Sequence, residues 1–354
     1  MEKEKIIVSV IGARPQFIKA APIEMAFSKF DNIKFYSIHT GQHYDQNMSN
    51  IFFDQLKLKK PWIQLRSGGK SHAKQTSEIL NGIEDALIEL KPDLLIVYGD
   101  TNSTIGASLA AAKLNIPIAH IEAGLRSFNR KMPEEVNRVL TDHLSSLLFV
   151  PSNTAVENLK KEGITKNVFL CGDVMKDIQK TVLESGLIPE NGNKNFYYAT
   201  IHRPYNTDEN QRIINILNVF NQLDKKVIFA IHPRTKHLLI DTYHHDLEYK
   251  NIEFIEPQGY FDNLSYLQNC DCLITDSGGM QKEAYWFNKK CITIRTETEW
   301  TETLENGCNH LVFENLNDIQ RLINNSVPSF NNTLYGENNA SALITEKIIN
   351  FIND

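Results

Sequence analysis

A chain of 354 residues is long for one typical domain and right for two. Hydrophobic residues make up 42% of it and charged residues 23%, ordinary values for a soluble globular protein. A net charge of −6 gives no reason to expect nucleic acid or an anionic membrane surface as a partner.

Short apolar runs alternate with longer amphipathic stretches along the chain. Ile6–Ile11 reads as a buried strand, Gln16–Ser28 as a helix opened by Pro15, and Ile33–Ile38 as a strand. Thr76–Leu90 reads as a helix, Asp93–Tyr98 as a strand, Ala-rich Thr104–Leu114 as a helix and Ile116–Ile121 as a strand. Pro133–Leu147 is helical, Leu148–Val150 a short strand, Thr154–Glu162 helical, and Val168–Leu170 closes the first half. The stretch Leu187–Asn195, LIPENGNKN, is polar and turn-rich, as a linker should be. The pattern then restarts with strands at Phe196–Thr200, Val227–Ile231, Ile252–Ile255, Cys272–Thr275 and Cys291–Ile294. Helices are expected at Glu209–Leu223, Asp262–Gln268, Gly279–Phe287 and Leu316–Asn325.

Uninterrupted apolar strands separated by helices predict parallel βαβ units with both sheet faces covered. The fold class is therefore α/β, with two doubly wound Rossmann-like domains. The expected bounds are 1–171 and 172–339, with a terminal helix in 340–354 whose pattern is open to either half, packing back on the first domain being one alternative.

The opening MEKEKIIVSVIGARP mixes acids with lysines and runs into Arg-Pro, so it is not expected to be a signal peptide. No apolar stretch approaches the ~20 residues that span a bilayer. The five cysteines, odd in number and scattered, suggest reduced thiols in a cytoplasmic protein. Cys270-x-Cys272 has no second pair or nearby His, so no metal site is expected.

In such sheets ligands sit beyond the carboxyl ends of the strands. The groups at those positions include Arg14, Asp100, Glu122, His202, His232, Ser277 and Arg295. Their concentration in both halves predicts an interdomain cleft, with charged groups of one domain facing a nucleotide held by the other. Asp276–Glu283, DSGGMQKE, is the sharpest signal. A strand, a Ser-Gly-Gly turn and a helix make an anion site, because the first helical turn leaves N–H groups unpartnered at its positive end. Ser277 adds a hydroxyl, and Gly278 and Gly279 let a phosphate approach the backbone. Glu283, further along the helix, suits a ribose diol. The same pattern is also an ordinary Gly-rich bend.

Arg14 and Lys19 could both face a diphosphate. Asp100 is either an acid or base at the cleft or the cap of the next helix. Glu122 ends the next strand, and His120 beside it points to the face opposite Ile121. Glu134 and Glu135 open a helix after Pro133, where one of them serves as a dipole partner. Carboxylates converging on one cleft suit proton transfer at carbon, because their mutual influence supplies both acid and base. His202 would add a cation near a leaving phosphate, or else be a helix cap or a packed histidine.

The motifs IGARPQFIKAAP, TGQH, YGDTNST, HIEAGLRS, PEEVNR, IHRPYN and TDSGGMQKEA occur in order from residue 6 to about 312. In that order and spacing the chain resembles the non-hydrolysing UDP-N-acetylglucosamine 2-epimerases. The resemblance implies a GT-B fold, a UDP-sugar as substrate, a homodimer, and C2 inversion without an added cofactor. It implies elimination of UDP to a 2-acetamidoglucal, followed by re-addition. By motif, Asp100, Glu122, Glu134 and His202 fall on catalytic positions. Arg14, Lys19, Ser277, Gly278 and Glu283 fall on UDP-contacting ones, and Gly279, His232 and Arg295 complete the expected substrate-binding set.

The departures concern regulation and the sugar. Gln16 stands where typical members have Glu. Gln42-His43-Tyr44-Asp45 and Gly69-Lys70 replace residues that in many members bind an activating second UDP-GlcNAc. Thr298-Glu299-Trp300-Thr301-Glu302 replaces Thr-Glu-Arg-Pro-Glu. These variants look more like the branch acting on UDP-2,3-diacetamido-2,3-dideoxyglucuronate, and Arg126, Arg130 and Lys131 would suit its extra carboxylate. Competing expectations are a GT-B glycosyltransferase, which would not need three carboxylates, a non-catalytic nucleotide-sugar binder, and hydrolysis to free sugar.

Overall fold

The computed structural model describes residues 4–42, 58–184, 195–231, 249–326 and 329–353. By internal contacts the chain divides into unit 1, Met1–Thr181 with Thr333–Asp354, and unit 2, Val182–Asn332. The division falls after Thr181 and after Asn332, where the sequence suggested 171 and 339.

Unit 1 runs β1 (Lys5–Ile11), α1 (Arg14–Phe27), β2 (Ile33–His39), β3 (Ile63–Gln64), α2 (His72–Leu90), β4 (Leu94–Tyr98), α3 (Asn102–Lys113), β5 (Ile118–Ile121), α4 (Pro133–Leu144), β6 (Leu147–Val150), α5 (Asn153–Lys161) and β7 (Val168–Leu170). Helix α6 (Val174–Glu184) follows and carries the chain into unit 2. Among the described residues the sheet has seven strands in the order β3-β2-β1-β4-β5-β6-β7, all parallel. On one face Val8, Val10, Ile38, Leu95, Val97 and Ile118 pack against Ile79 and Ile83 of α2 and the alanines of α3. The small residues of α3 let it lie close to the sheet.

Unit 2 runs β8 (Phe196–Thr200), α7 (Pro204–Thr207), α8 (Asn210–Gln222), β9 (Lys226–Ala230), β10 (Ile252–Ile255), α9 (Tyr260–Asn269), β11 (Cys272–Thr275), α10 (Gly278–Trp286), β12 (Lys290–Thr293), β13 (Asn309–Leu311) and α11 (Ile319–Asn324). Its parallel sheet has the order β10-β9-β8-β11-β12-β13. Alternation within β8 shows that both faces are covered. Tyr197 and Ala199 join the core made with α8, whereas Phe196 and Tyr198 join the one that includes Leu267 of α9 and Ala284 of α10.

In each sheet the strand order reverses beside the first strand of the unit, between β1 and β4 and between β8 and β11. Loops on the two sides of such a point diverge and leave a crevice at the carboxyl edge.

Several boundaries shift from the sequence reading. Helix α2 starts at His72 rather than Thr76, after Ser71 in extended backbone. Helix α4 ends at Leu144 because Leu147 already belongs to β6. Strands β3 and β13 and helix α6 were not anticipated. Of the anticipated linker only Asn195 lies within the described residues.

The terminal helix, α12 (Ala340–Asn353), belongs to unit 1. Asp177 of α6 caps it, accepting from Ala340 N–H at 3.2 Å, Ser341 N–H at 2.7 Å and Ser341 Oγ at 2.7 Å. Ahead of it, Lys176 Nζ donates to the Gly336 carbonyl at 2.6 Å, and Asp173 N–H to the Tyr335 carbonyl at 2.8 Å. Gly172 has φ +84°, and a Cβ there would lie 2.5 Å from the Tyr335 oxygen, so only glycine lets the returning segment approach. Asp177→Ala should weaken the attachment of α12 by about 1–2 kcal/mol, the usual worth of a helix cap. Amide exchange in its first turn should then accelerate about tenfold. Unchanged exchange would show that the apolar face of α12 alone holds it.

Candidate active site

In unit 1 the crevice lies between the loops after β1 and β4, and Gln16 spans it. Its Oε1 accepts from Gly12 N–H at 2.8 Å and Ala13 N–H at 3.0 Å, while Nε2 donates to the Tyr98 carbonyl at 2.9 Å and Thr104 Oγ1 at 3.1 Å. Both donor and acceptor are needed, which a carboxylate could not supply. Helix α1 begins at Arg14, and half-buried Arg14 and buried Lys19 both lie on it.

Lys19 forms an ion pair with Glu122, and both side chains are less than a tenth exposed. Glu122 itself has φ +70°. The pair lies over Gly99, where an added Cβ would be 3.1 Å from Glu122 Oε2 and 3.2 Å from Lys19 Nζ. Asp100 follows, more exposed, with its carboxylate paired to Arg138 of α4. Its capping alternative is not realised: Thr101 caps α3 and accepts from Thr104 N–H. The two glutamates that open α4 separate cleanly. Glu135 is buried and accepts from Ser127 N–H, Ser127 Oγ and Phe128 N–H at 2.9–3.0 Å, so it ties down a loop. Glu134 is half-buried beside it.

Arg126 requires a correction. It is 4% exposed, and its guanidinium is committed to the Leu125 carbonyl, Asp142 and both oxygens of Glu162, each at 2.7 Å. It therefore does not belong with a sugar-facing cationic set.

In unit 2 the crevice lies between the loops after β8 and β11, and Asp276 spans it. Its fully buried carboxylate accepts from His202 N–H at 3.1 Å, Arg203 N–H at 2.9 Å and Asn206 Nδ2 at 3.0 Å, and His202 Nδ1 stands 3.0 Å away. Burial pushes this carboxyl up, but the His202 ring and the convergent N–H donors outweigh it and hold Asp276 below the ordinary carboxylate range. The His202 side chain is 38% exposed, so the ring is anchored at one edge and open at another.

Threonines level the carboxyl edge of this sheet. Thr200, Thr275 and Thr293 are neighbours in register, and Ser277 N–H donates to Thr275 Oγ1 at 3.0 Å. Half-buried Ser277 precedes α10, and its side chain makes no capping bond there. Gly278 opens the helix under Glu299, whose Oε1 would be 2.6 Å from an added Cβ. Buried Glu283 lies in the same helix, and Arg295, 2% exposed, pairs with Glu299 at 2.9 Å. Gln281 Oε1 accepts from Thr298 Oγ1 at 2.8 Å and Asn309 Nδ2 at 3.0 Å, tying α10 to the loop after β12.

Unit 1 thus brings Arg14, Lys19, Asp100, Glu122 and Glu134 to one carboxyl edge. Unit 2 brings His202, Ser277, Gly278, Gly279, Glu283 and Arg295 to another. His232, like His43, Tyr44 and Asp45, lies outside the described residues. The sequence reading did not single out Asn206 and Asp142, and it saw Gln16 only as a departure. A polar residue just after a Gly-Ala turn was the available signal for Gln16. Among the described residues no cluster of three metal-ligating side chains occurs, and no helix is long and apolar enough to cross a membrane. All five cysteines are buried and free.

Comparisons with known proteins agree with one another. A family model described as UDP-N-acetylglucosamine 2-epimerase matches residues 25–349. A Methanococcus maripaludis protein named UDP-N-acetylglucosamine 2-epimerase homolog is 46% identical over 360 residues, covering 97% of this chain and 99% of its own. The UDP-2,3-diacetamido-2,3-dideoxy-D-glucuronate 2-epimerase of Pseudomonas aeruginosa is 44% identical over 317 residues, covering 86% of this chain and 88% of its own. The crystal structure of Methanocaldococcus jannaschii UDP-GlcNAc 2-epimerase in complex with UDP-GlcNAc and UDP superposes with a TM-score of 0.89 at 38% identity, covering 98% of this chain and 99% of that one. The two α/β units are those of a GT-B fold, and with two such sheets and these relatives the chain belongs to the non-hydrolysing UDP-N-acetylglucosamine 2-epimerase family, whose members are isomerases.

Proposed function

We propose that this enzyme inverts C2 of a UDP-linked 2-acetamido sugar by eliminating UDP and adding it back to a bound 2-acetamidoglucal. One observation supports this most: three carboxylates gather at one edge in unlike surroundings. Glu122 is buried against Lys19, Asp100 is partly exposed against Arg138, and Glu134 is half-buried at a helix start. Groups of one chemical type in unlike environments can divide acid and base work between them. Removal of the C2 proton, departure of UDP from C1 and reprotonation from the opposite face need both roles.

The reading assigns UDP to Ser277, Gly278, Gly279 and Arg295, with Glu283 on the ribose and Arg14 and Lys19 toward the diphosphate. His202, steadied by Asp276, serves the leaving phosphate. A homodimer in the cytoplasm completes the reading, in keeping with the buried free thiols.

Turnover in heavy water tests the chemistry. Deuterium should enter C2, both epimers should form without any acceptor, and no free sugar should appear. Asp100→Asn should lower the exchange rate by at least about 100-fold, the scale of a lost general acid or base. Epimers that keep their original C2 hydrogen would refute the elimination. A product that requires an acceptor would mark a glycosyltransferase.

Glu283→Ala should act on affinity, because a ribose contact binds ground and transition states alike. The loss in UDP binding should be about 1.5–3 kcal/mol, typical of a charge-assisted hydrogen bond. Unchanged UDP affinity by calorimetry would remove Glu283 from the site.

UDP-GlcNAc should not activate the enzyme, since Asp45 and Gly69 replace residues that in many members of the family bind the activating sugar nucleotide. Rates with UDP-GlcNAc and with UDP-2,3-diacetamido-2,3-dideoxyglucuronate, each measured over a range of concentrations, decide both questions. A sigmoidal UDP-GlcNAc curve would establish activation. The faster substrate identifies the branch, and we expect it to be the uronate, the sugar in the name of the Pseudomonas aeruginosa relative.

A further inference from the structure

Strand β5 carries a histidine that the proposed chemistry has not used. His120 is fully buried, with Nδ1 2.7 Å from Asp142 Oδ1 and Nε2 2.7 Å from the Gly99 carbonyl oxygen. A carbonyl oxygen only accepts, so Nε2 bears a proton. The second oxygen of Asp142 accepts from Arg126 Nη1 at 2.7 Å and Gly124 N–H at 3.1 Å. These donors suit an ionised carboxylate, which also only accepts, so Nδ1 bears a proton as well. A ring protonated at both nitrogens is an imidazolium. Charge closes around it: His120 and Arg126 face Asp142 and Glu162, as a buried cluster requires.

What the ring grips is the turn that precedes Asp100. Gly99 has φ +59°, and the Lys19–Glu122 pair rests over its α-carbon. Glu122 stands just beyond His120 in the chain, in its own left-handed conformation. One buried cation is therefore joined to both carboxylates, across the sheet to Asp100 and along the strand to Glu122.

We infer that His120 is a doubly protonated positioning residue for the 2-epimerase reaction, holding the Gly99 carbonyl and so setting where the Asp100 and Glu122 carboxylates stand. The inference rests on the reading that those carboxylates move the C2 proton.

Two substitutions separate the halves of the ring. Glutamine places an N–H near the Nε2 position and keeps a donor for Gly99. Asparagine places one near Nδ1 and reaches Asp142 only. His120→Asn should lower kcat about 100-fold, the scale of a small misplacement of reacting groups, with KM changed less than about threefold. His120→Gln should recover most of that loss, to within about tenfold of the parent, although both lose thermal stability. Nitrogen NMR of the histidine-labelled parent protein, with the His120 signal assigned by its loss in His120→Gln, should show a bonded proton on both ring nitrogens. If neither variant folds, His120 is assigned in the parent from through-space contacts instead. A bare Nδ1, or equal kcat losses in the two variants that track their stability losses, would overturn the inference and leave the cluster as packing. Failure of the parent enzyme to exchange C2 would instead overturn the reaction assignment, and the NMR result does not depend on turnover.

Discussion

The crevice at a topological switch point leaves backbone N–H and C=O groups that no strand can pair, and each unit meets this with one side chain. The chemistry of the two side chains follows from what each faces. Gln16 meets two N–H donors on one side and a carbonyl and a hydroxyl on the other, so a carboxamide fits. Asp276 meets N–H groups of His202, Arg203 and Asn206, and a carboxylate fits. Several of the described candidates sit within a turn or two of these bridges. Arg14 precedes and Lys19 follows Gln16 on its helix, His202 and Arg203 hang from Asp276, and Ser277 follows it directly. The charged groups are placed by backbone that a neutral or fully satisfied polar contact has already fixed.

Cation–carboxylate pairs recur in unit 1: Lys19 with Glu122, Arg138 with Asp100, and Arg126 with Asp142 and Glu162. Buried pairs contribute little net stability, because desolvation offsets their attraction. Their use here is geometric. Each long cation restricts a carboxylate that would otherwise rotate freely, and proton transfer demands fixed distances. The pairs differ in what remains available to a substrate. Arg126 is spent entirely inside the protein, whereas Asp100 keeps part of its surface exposed.

Strands buried on both faces were legible because they are continuous apolar runs. Phe196–Thr200 and Cys272–Thr275 carry the expected bounds, and so do Ile252–Ile255 and Val168–Leu170, which are partly exposed strands at the sheet edges. β3 is Ile63–Gln64 and β13 is Asn309–Leu311, short and partly polar, so neither forms an apolar run that the sequence could show. Positions at strand ends were readable as a class, but their partners were not. Nothing in the sequence ties His120 to Asp142, 22 residues on, or Asp276 to Asn206, 70 residues back. Arg126 reads as a sugar-facing cation until Glu162 and Asp142 are seen around it. Composition offered Asp100 as the cap of α3, but the helix starts at Asn102, so Thr101 occupies the capping position.

The replacement of Arg-Pro by Trp300-Thr301 has a physical sense in unit 2. Trp300 is 3% exposed, and the ammonium of fully buried Lys282 stands 3.8 Å from the centre of its ring. A desolvated cation over an indole face is a favourable contact. The same loop places Glu299 over Gly278 and hands Thr298 Oγ1 to Gln281. Helix α10 is therefore held at its first turn and at its buried face by the segment from Thr298 to Trp300, while Ser277 contributes no cap of its own. The N–H groups expected to receive phosphate are thus oriented from outside the helix. Arginine in place of Trp300 would set a second cation against Lys282 in a dry site, so this loop and this helix must change together.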